Sequence, residues 1–201
     1  RIPRRFGMDP VAEVQVLTPM RKNQLGADNL NTVLQEVVNP KGHAVQRFGR
    51  DYRIGDRVMQ IRNNYDKDIF NGDIGRITSI KEEDQKVIVD MDGRVVSYEF
   101  SELDELVLAY ASSIHKSQGS EYPAVVLLIA TQHYKLLQRN LLYTAITRGR
   151  KLVCLVGSSK AVKMAIRNNE MRLRRTRLMQ RLIELSGTGD YIRVMDDDGV
   201  P

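Results

Sequence analysis

Apolar positions follow two different rhythms along this chain. Val14-Gln15-Val16-Leu17-Thr18-Pro19 is a short apolar run that predicts a buried strand. Leu30, Val33, Leu34, Val37 and Val38 then recur at helical spacing until Asn39-Pro40 ends the pattern. From Asp51 to Asp104 the character changes to short β-type runs: Arg57 to Ile61, Gly75 to Ile80, Lys86 to Asp90 and Val95 to Phe100. Asn71-Gly72 and Asp92-Gly93 punctuate them as turn signals, so a small barrel is predicted. The α/β rhythm then resumes with strands at Leu106 to Tyr110, Ala124 to Ala130 and Leu152 to Val156. A helix is expected around Arg139 to Thr147 and another from Ser158 or Ser159 onward. The barrel therefore reads as an insertion into an α/β body whose apolar strands form a mostly parallel sheet, and ligands of such sheets usually lie at the carboxyl ends of the strands.

Composition narrows this picture without changing it. The 201 residues are 42% apolar, as expected of a chain that buries a core. No stretch approaches the roughly 18 apolar residues that a membrane span needs, and no membrane partner is expected. The opening Arg1-Ile2-Pro3-Arg4-Arg5 has neither an initiator Met nor the apolar core of a signal peptide, so the sequence is expected to start inside a longer gene product. The single cysteine, Cys154, sits in the apolar run Leu152 to Val156. It is expected to be a buried, inert thiol in a reducing cytoplasm. Net charge is +6, with basic residues concentrated between Arg139 and Arg181, which points to phosphate as a partner; the other reading of Met171 to Leu185 is an amphipathic helix whose arginines face water. Thr188 to Pro201, rich in Asp and Gly, reads as a loose tail.

Four segments carry candidate chemistry. Tyr110-Ala111-Ser112-Ser113-Ile114-His115-Lys116-Ser117-Gln118-Gly119-Ser120-Glu121-Tyr122-Pro123 is a polar loop between two strands, and it offers hydroxyls, an imidazole, an ammonium and free N–H groups for phosphate contact. Asn140 to Lys151 runs an apolar helical stripe into the basic loop Arg148-Gly149-Arg150-Lys151. Val16 to Asn31 joins a strand, a loop bearing Arg21 and Lys22, and a helix start where Arg21 and Gly26 can approach phosphates; Asp28 or Asn29 is equally a plain N-cap, with Asn31 facing inward. Gly55 to Tyr65, followed by Phe70 to Gly75, opens the barrel; Asn63 and Asn64 have amides free to bond backbone or base edges, and Tyr65 reads first as packing and second as a base-stacking ring. Each segment also has an ordinary reading. His115 is then a surface or satisfied group, Glu121 a helix-cap or surface carboxylate, Arg148 one cation of a solvated turn, and the barrel glycines and Asn71 simply turn residues.

Taken along the chain, Val16 to Asn31 resembles motif IV, Gly55 to Gly75 an SH3-like insertion, Tyr110 to Pro123 motif V and Asn140 to Lys151 motif VI of the RecD-like superfamily 1B DNA helicases, the family of the exodeoxyribonuclease V alpha subunit. The resemblance covers roughly Val14 to Gly157. It implies a RecA-like parallel-sheet domain, the second motor domain, built from 1–50 and 105–165 and interrupted by a small SH3-like β-barrel over 51–104. A basic helix and tail would follow over 166–201. By the resemblance, Ser113, His115, Lys116, Asn63, Asn64 and Tyr65 would contact DNA, while Gly119, Glu121, Gln118 and Arg21 would lie near the nucleotide. Arg148 becomes the arginine finger that reaches the γ-phosphate of ATP held by a partner domain. Ser113 stands where the family usually has Thr, and Gly149 where relatives often carry Ala.

The sequence contains no G-x-x-x-x-G-K-[ST] loop and no strand ending in paired acids. ATP with Mg²⁺ would be held mainly by residues outside this chain, and the segment alone is expected to be inactive. The implied parent couples ATP hydrolysis to 5′→3′ translocation on single-stranded DNA and to duplex unwinding in recombination or repair. Its partners would be single-stranded DNA, its own N-terminal RecA-like domain and, as a further class, nuclease subunits. With three His and one Cys, none clustered, no metal site is expected. Two other readings remain at this stage: a non-catalytic nucleic-acid-binding module built on the SH3-like barrel, and an adaptor whose α/β body docks a protein.

Overall fold

In the computed structural model, which describes residues 2–169 together with 181 and 182, the two rhythms resolve into two main sheets and a separate two-stranded hairpin. A short helix α1 (Ile2–Phe6) leads into β1 (Val14–Thr18), and α2 (Ala27–Val38) ends where Asn39-Pro40 predicts. The chain then forms a hairpin, β2 (Ala44–Arg47) and β3 (Arg50–Arg53), followed by β4 (Arg57–Gln60), β5 (Ile74–Lys81), β6 (Lys86–Met91) and β7 (Arg94–Glu99). A 3₁₀ segment, Phe100–Glu105, connects to β8 (Leu106–Leu108), β9 (Ala111–Ser113) and β10 (Tyr122–Ile129). A second 3₁₀ segment, α3 (Arg139–Ile146), β11 (Gly149–Gly157) and α4 (Ser159–Arg167) complete the described order. The basic helix expected over Met171 to Leu185 and the tail beyond it lie outside the described residues, apart from Arg181 and Leu182.

The first sheet is parallel, in the order β11-β10-β1-β9. Leu17, Val125, Leu127 and Ile129 from its strands are fully buried beside Ala145 and Ala161 of the covering helices, and each large aliphatic side chain so buried contributes about 1.5–3 kcal/mol. Ser158 caps α4, its hydroxyl accepting from the Ala161 N–H at 3.2 Å. The second sheet is antiparallel, in the order β7-β6-β5-β4-β8. Asp92 and Gly93, both at positive φ, make the tight turn between β6 and β7, with Met91 opposite Arg94.

Two expectations are corrected here. The run from Leu106, read as the resumption of the parallel sheet, instead pairs antiparallel with β4, Leu108 opposite Val58. An apolar run identifies a strand but not its neighbour, and the free edge of β4 is completed by the segment that follows the barrel in the chain. Cys154 is only half-buried rather than enclosed, because β11 is an edge strand whose Leu155 and Val156 are each 45% exposed.

A buried carboxylate joins the two sheets. Asp56 is fully buried, and its Oδ1 accepts from Asn39 Nδ2 at 2.7 Å and from the Tyr110 hydroxyl at 2.8 Å. Its Oδ2 accepts from Gln35 Nε2 at 2.6 Å and from the Arg53 N–H at 2.7 Å. Burial, with the adjacent Asp56 charge, holds the Tyr110 phenol above its usual range, so it stays protonated and donates. Helix α2, the barrel entrance and the strand leading to β9 therefore share one acceptor group. On the outer face of β4, the buried Arg57 donates to Val11 O at 2.8 Å and stacks over Tyr122, 5.7 Å from its ring centre.

Candidate nucleotide and nucleic-acid site

The site is organised by the segment Ile114 to Glu121, which leaves the carboxyl end of β9 and enters the amino end of β10. Ser113 pairs in register with Thr18 at the carboxyl end of β1, whereas Tyr122 pairs with Gly149 at the amino end of β11. In a parallel sheet these ends are opposite edges; β1 has five residues, so at about 3.3 Å per residue they are on the order of 15 Å apart. The candidate residues of this segment therefore divide between the carboxyl ends, where ligands are expected from the sequence, and the opposite, amino ends. The connection crosses the sheet through successive turns rather than a helix, so its two termini present different residues at different edges.

At the carboxyl edge, Ser113 and Lys116 line a small recess with Arg21, Asp28 and Asn31, floored by Met59, Ile61 and Val107 from the barrel side. His115 and Lys116 are exposed, and neither side chain has a hydrogen-bond or ion-pair partner among the described residues. Ser113 Oγ accepts from the Lys116 N–H at 3.4 Å, which fixes the turn. Asn31 faces inward and clamps β9: its Nδ2 donates to Ala111 O at 2.9 Å while its Oδ1 accepts from the Ala111 N–H at 2.7 Å.

Arg21 sits at this edge beside Lys116 rather than beside Arg148, and its Nε pairs with Asp28 at 3.1 Å. At the start of α2 the N–H groups of Ala27 and Asp28 already donate to Met20 O and Arg21 O, which takes two of its first-turn donors away from an anion. Gly26, not Asp28 or Asn29, occupies the N-cap. A Cβ there would lie 2.1 Å from Lys22 O, so the glycine is required by the fold of the loop.

At the amino edge, Arg148 lies just past the Thr147 C-cap of α3, half-buried and held by three hydrogen bonds. Its Nε donates to Thr144 O at 3.1 Å, its Nη1 to Ser120 O at 3.0 Å and its Nη2 to Thr147 Oγ1 at 3.2 Å. Its own carbonyl accepts from the Tyr122 N–H at 2.8 Å. All these oxygens are neutral, and no carboxylate lies within ion-pair distance of Arg148 among the described residues. Glu121 instead pairs with Arg150 Nε at 2.7 Å. Gly119 takes φ +87°, a conformation L side chains rarely adopt, and Gln118 beside it is exposed. Ser120, Glu121 and Tyr122 also border a groove of about 840 Å³ between the sheet and the barrel, across from Arg76 and Arg94. Among the described residues no group of three or more His, Cys, Asp or Glu could hold a metal ion, and no helix is long and apolar enough to cross a membrane.

The barrel residues fare unequally. The Asn63 and Asn64 amides, expected to bond backbone or base edges, both accept from backbone N–H groups of their own loop. Asn63 Oδ1 accepts from the Asn71 N–H at 2.9 Å, and Asn64 Nδ2 approaches Glu105 Oε2 at 3.4 Å. Tyr65, read first as packing, is 76% exposed; it stands edge-to-face with Phe70 and accepts from the Asn63 amide. Sequence reasoning missed Asp56 and Arg150; the first carries no motif, and the second was one basic residue among three.

Two family models match the chain: the ATP-dependent RecD-like DNA helicase SH3 domain over residues 30–91, and the UvrD-like helicase C-terminal domain over residues 108–156. The chain is 41% identical over 169 residues to the ATP-dependent RecD2 DNA helicase of Deinococcus radiodurans, covering 84% of this chain and 23% of that protein. It is 30% identical over 162 residues to the RecBCD enzyme subunit RecD of Haemophilus influenzae, covering 79% and 24%. The chain thus spans about a quarter of the length of these curated relatives. Among solved structures, the Pif1 helicase from Bacteroides in complex with ADP-AlF3 and ssDNA shares the fold with a TM-score of 0.57 at 20% identity, over 86% of this chain and 46% of that one. The Pif1 helicase from Candida albicans does so with a TM-score of 0.53 at 17% identity, over 90% and 50%.

Proposed function

Because the chain belongs to the RecD-like family of DNA helicases, we propose that it is the second motor domain, with its inserted barrel, of an enzyme that couples ATP hydrolysis to translocation on single-stranded DNA and duplex unwinding. Arg148 is the arginine finger. The observation that carries this reading is its bond to Ser120 O, which ties a half-buried guanidinium to the same short segment whose other end bears Ser113, His115 and Lys116. A planar, permanently charged group held by neutral acceptors keeps its full charge for the equatorial oxygens of a transferring phosphoryl group.

In this reading Glu121, Gly119 and Gln118 lie at the nucleotide edge, and Ser113, His115 and Lys116 meet the DNA backbone. Arg21, expected near the nucleotide, joins the DNA edge. Tyr65 stacks on a base, while Asn63 and Asn64 shape the loop that presents it. The triphosphate and its Mg²⁺ are held mainly by another domain, since this chain offers one wall of the cleft. The same reading divides the chain into 1–50 with 105–165 as the motor domain and 51–104 as the insertion, the strands at 44–53 and 106–108 packing on the barrel side. It places the enzyme in the cytoplasm, in recombination or repair, with polarity 5′→3′ and, in nuclease-linked members, with nuclease subunits as partners.

The test is DNA-stimulated ATP turnover by the full-length helicase carrying Arg148→Ala. A loss of about 10³-fold or more is expected. Turnover left intact would overturn the finger assignment and favour a non-catalytic nucleic-acid-binding role.

A further inference from the structure

The amino edge of the sheet holds two arginines and one carboxylate, and the pairing among them is selective. Glu121 lies between Ser120, whose carbonyl accepts from the Arg148 side chain, and Tyr122, whose N–H donates to the Arg148 carbonyl. It is flanked by Arg148 contacts on both sides, yet its Oε2 pairs with Arg150 at 2.7 Å. The backbone accounts for this choice. Between the pairs Tyr122–Gly149 and Ala124–Leu152, β10 advances two residues while β11 advances three. The extra residue makes a β-bulge at Arg150-Lys151, a device that re-aims a side chain. Gly149 precedes the bulge and is crowded by the residues after it: a Cβ there would lie 2.5 Å from Val153 Cγ2 and 3.0 Å from Leu152 O. Its departure from the Ala common in relatives is therefore compatible with a local need of this chain.

We propose that Arg150 is a positioning residue for Arg148: by holding Glu121 it keeps the carboxylate between two Arg148 contacts off the finger. This rests on the reading of Arg148 given above. A guanidinium caught by a carboxylate makes a charge-assisted, often bidentate pair that must break before the group can reach a phosphate, whereas bonds to carbonyls and a hydroxyl leave its charge uncompensated. Arg150 and Glu121 are both exposed, with side chains 67% and 48% accessible, so their pair forms and breaks readily in solvent. The bulge supplies what the weak pair lacks, a backbone that brings Arg150 beside Glu121. Arg148 is then free to exchange the Ser120 carbonyl for a phosphoryl oxygen without first being pulled from an anion.

A double-mutant cycle in the full-length helicase tests this, reading kcat and KM for ATP at saturating single-stranded DNA. Arg150→Ala is expected to lower kcat about five- to tenfold with little change in KM, and Arg150→Lys, which can still pair with Glu121, to restore most of it. In a Glu121→Gln background, where no carboxylate remains to capture the finger, Arg150→Ala is expected to cost nothing further. Equal losses in both backgrounds would mean that Arg150 acts on the nucleotide itself, and no loss in either would mean that Glu121 does not compete; both outcomes overturn the proposal. Failure of the underlying reading is separate, because it appears as unchanged turnover in Arg148→Ala whatever the cycle gives.

Discussion

The two ends of the segment Ile114 to Glu121 carry cations under opposite constraints. At the carboxyl edge of the sheet, His115 and Lys116 are exposed and have no partner among the described residues. At the amino edge, Arg148 is fixed through Nε, Nη1 and Nη2 to three neutral oxygens. A polyelectrolyte presents many equivalent phosphates, and a mobile exposed charge serves it without needing one geometry. A single transition state needs a donor already in place, because reorganisation at the moment of reaction raises the barrier. Under the proposed function, the same segment separates a charge for affinity from a charge for rate.

The largest effect that would break this contrast belongs to the fixed end. Arg148→Ala is expected to reduce DNA-stimulated ATP turnover about 10³- to 10⁵-fold while leaving DNA affinity without nucleotide near wild type. Arg148→Lys is expected to recover little, since an ammonium lacks the planar fork that meets Ser120 O and Thr147 Oγ1 together. A comparable loss of DNA affinity in either variant would show that the two ends are not separable.

The shared platform comes next. Asp56 satisfies four donors from α2, the barrel entrance and the strand before β9. A buried donor left unpaired costs about 1–3 kcal/mol, so Asp56→Ala is expected to destabilise this chain by about 3–5 kcal/mol in urea unfolding. DNA binding and ATP turnover should then fail together. Retention of either one at wild-type level would mean that the corresponding edge does not depend on the seam.

Much of this arrangement is legible in the sequence where local chemistry decides it. Asp92-Gly93 supplies the positive φ values of its turn, Ser158 caps its helix, and Asn39-Pro40 ends α2. What depends on which strand meets which is not legible. The run at Leu106 announces a strand, but only the open edge of β4 decides its partner. The hairpin turn at Phe48-Gly49 has both residues at positive φ, and phenylalanine at such a position gives no turn signal. Arg21 and Arg148 look equivalent as loop cations near phosphate, and only the crossing of Ile114 to Glu121 puts them at opposite edges. Asp56 reads as an ordinary acid after Gly55 until four donors converge on it.

Tyr65 sharpens the mobile side of the contrast with a contact that carries no charge. It is exposed beside Phe70 on a loop whose asparagines are otherwise engaged. Base stacking on an aromatic ring is worth about 1–3 kcal/mol per base. Tyr65→Ala is expected to weaken single-stranded DNA binding by that amount, with Tyr65→Phe close to wild type, as measured by fluorescence anisotropy. Stacking involves no phosphate, so the slope of log affinity against log salt should not move; a reduced slope would count against it.

Lys116 should give the smallest change and the most specific one. One ammonium neutralising one phosphate of a single strand releases about 0.7 of a counterion, so Lys116→Ala is expected to reduce the salt slope by about that much. The accompanying loss of affinity should be modest at physiological salt and grow as salt is lowered, since the exposed charge acts through screened water. Lys116→Arg should keep the slope, because an exposed cation without a fixed partner has no geometry to lose, in direct opposition to Arg148→Lys. If the slope is unchanged in Lys116→Ala while ATP turnover falls, the ammonium serves the nucleotide edge instead. Charge would then be pooled along the whole segment rather than divided between its ends.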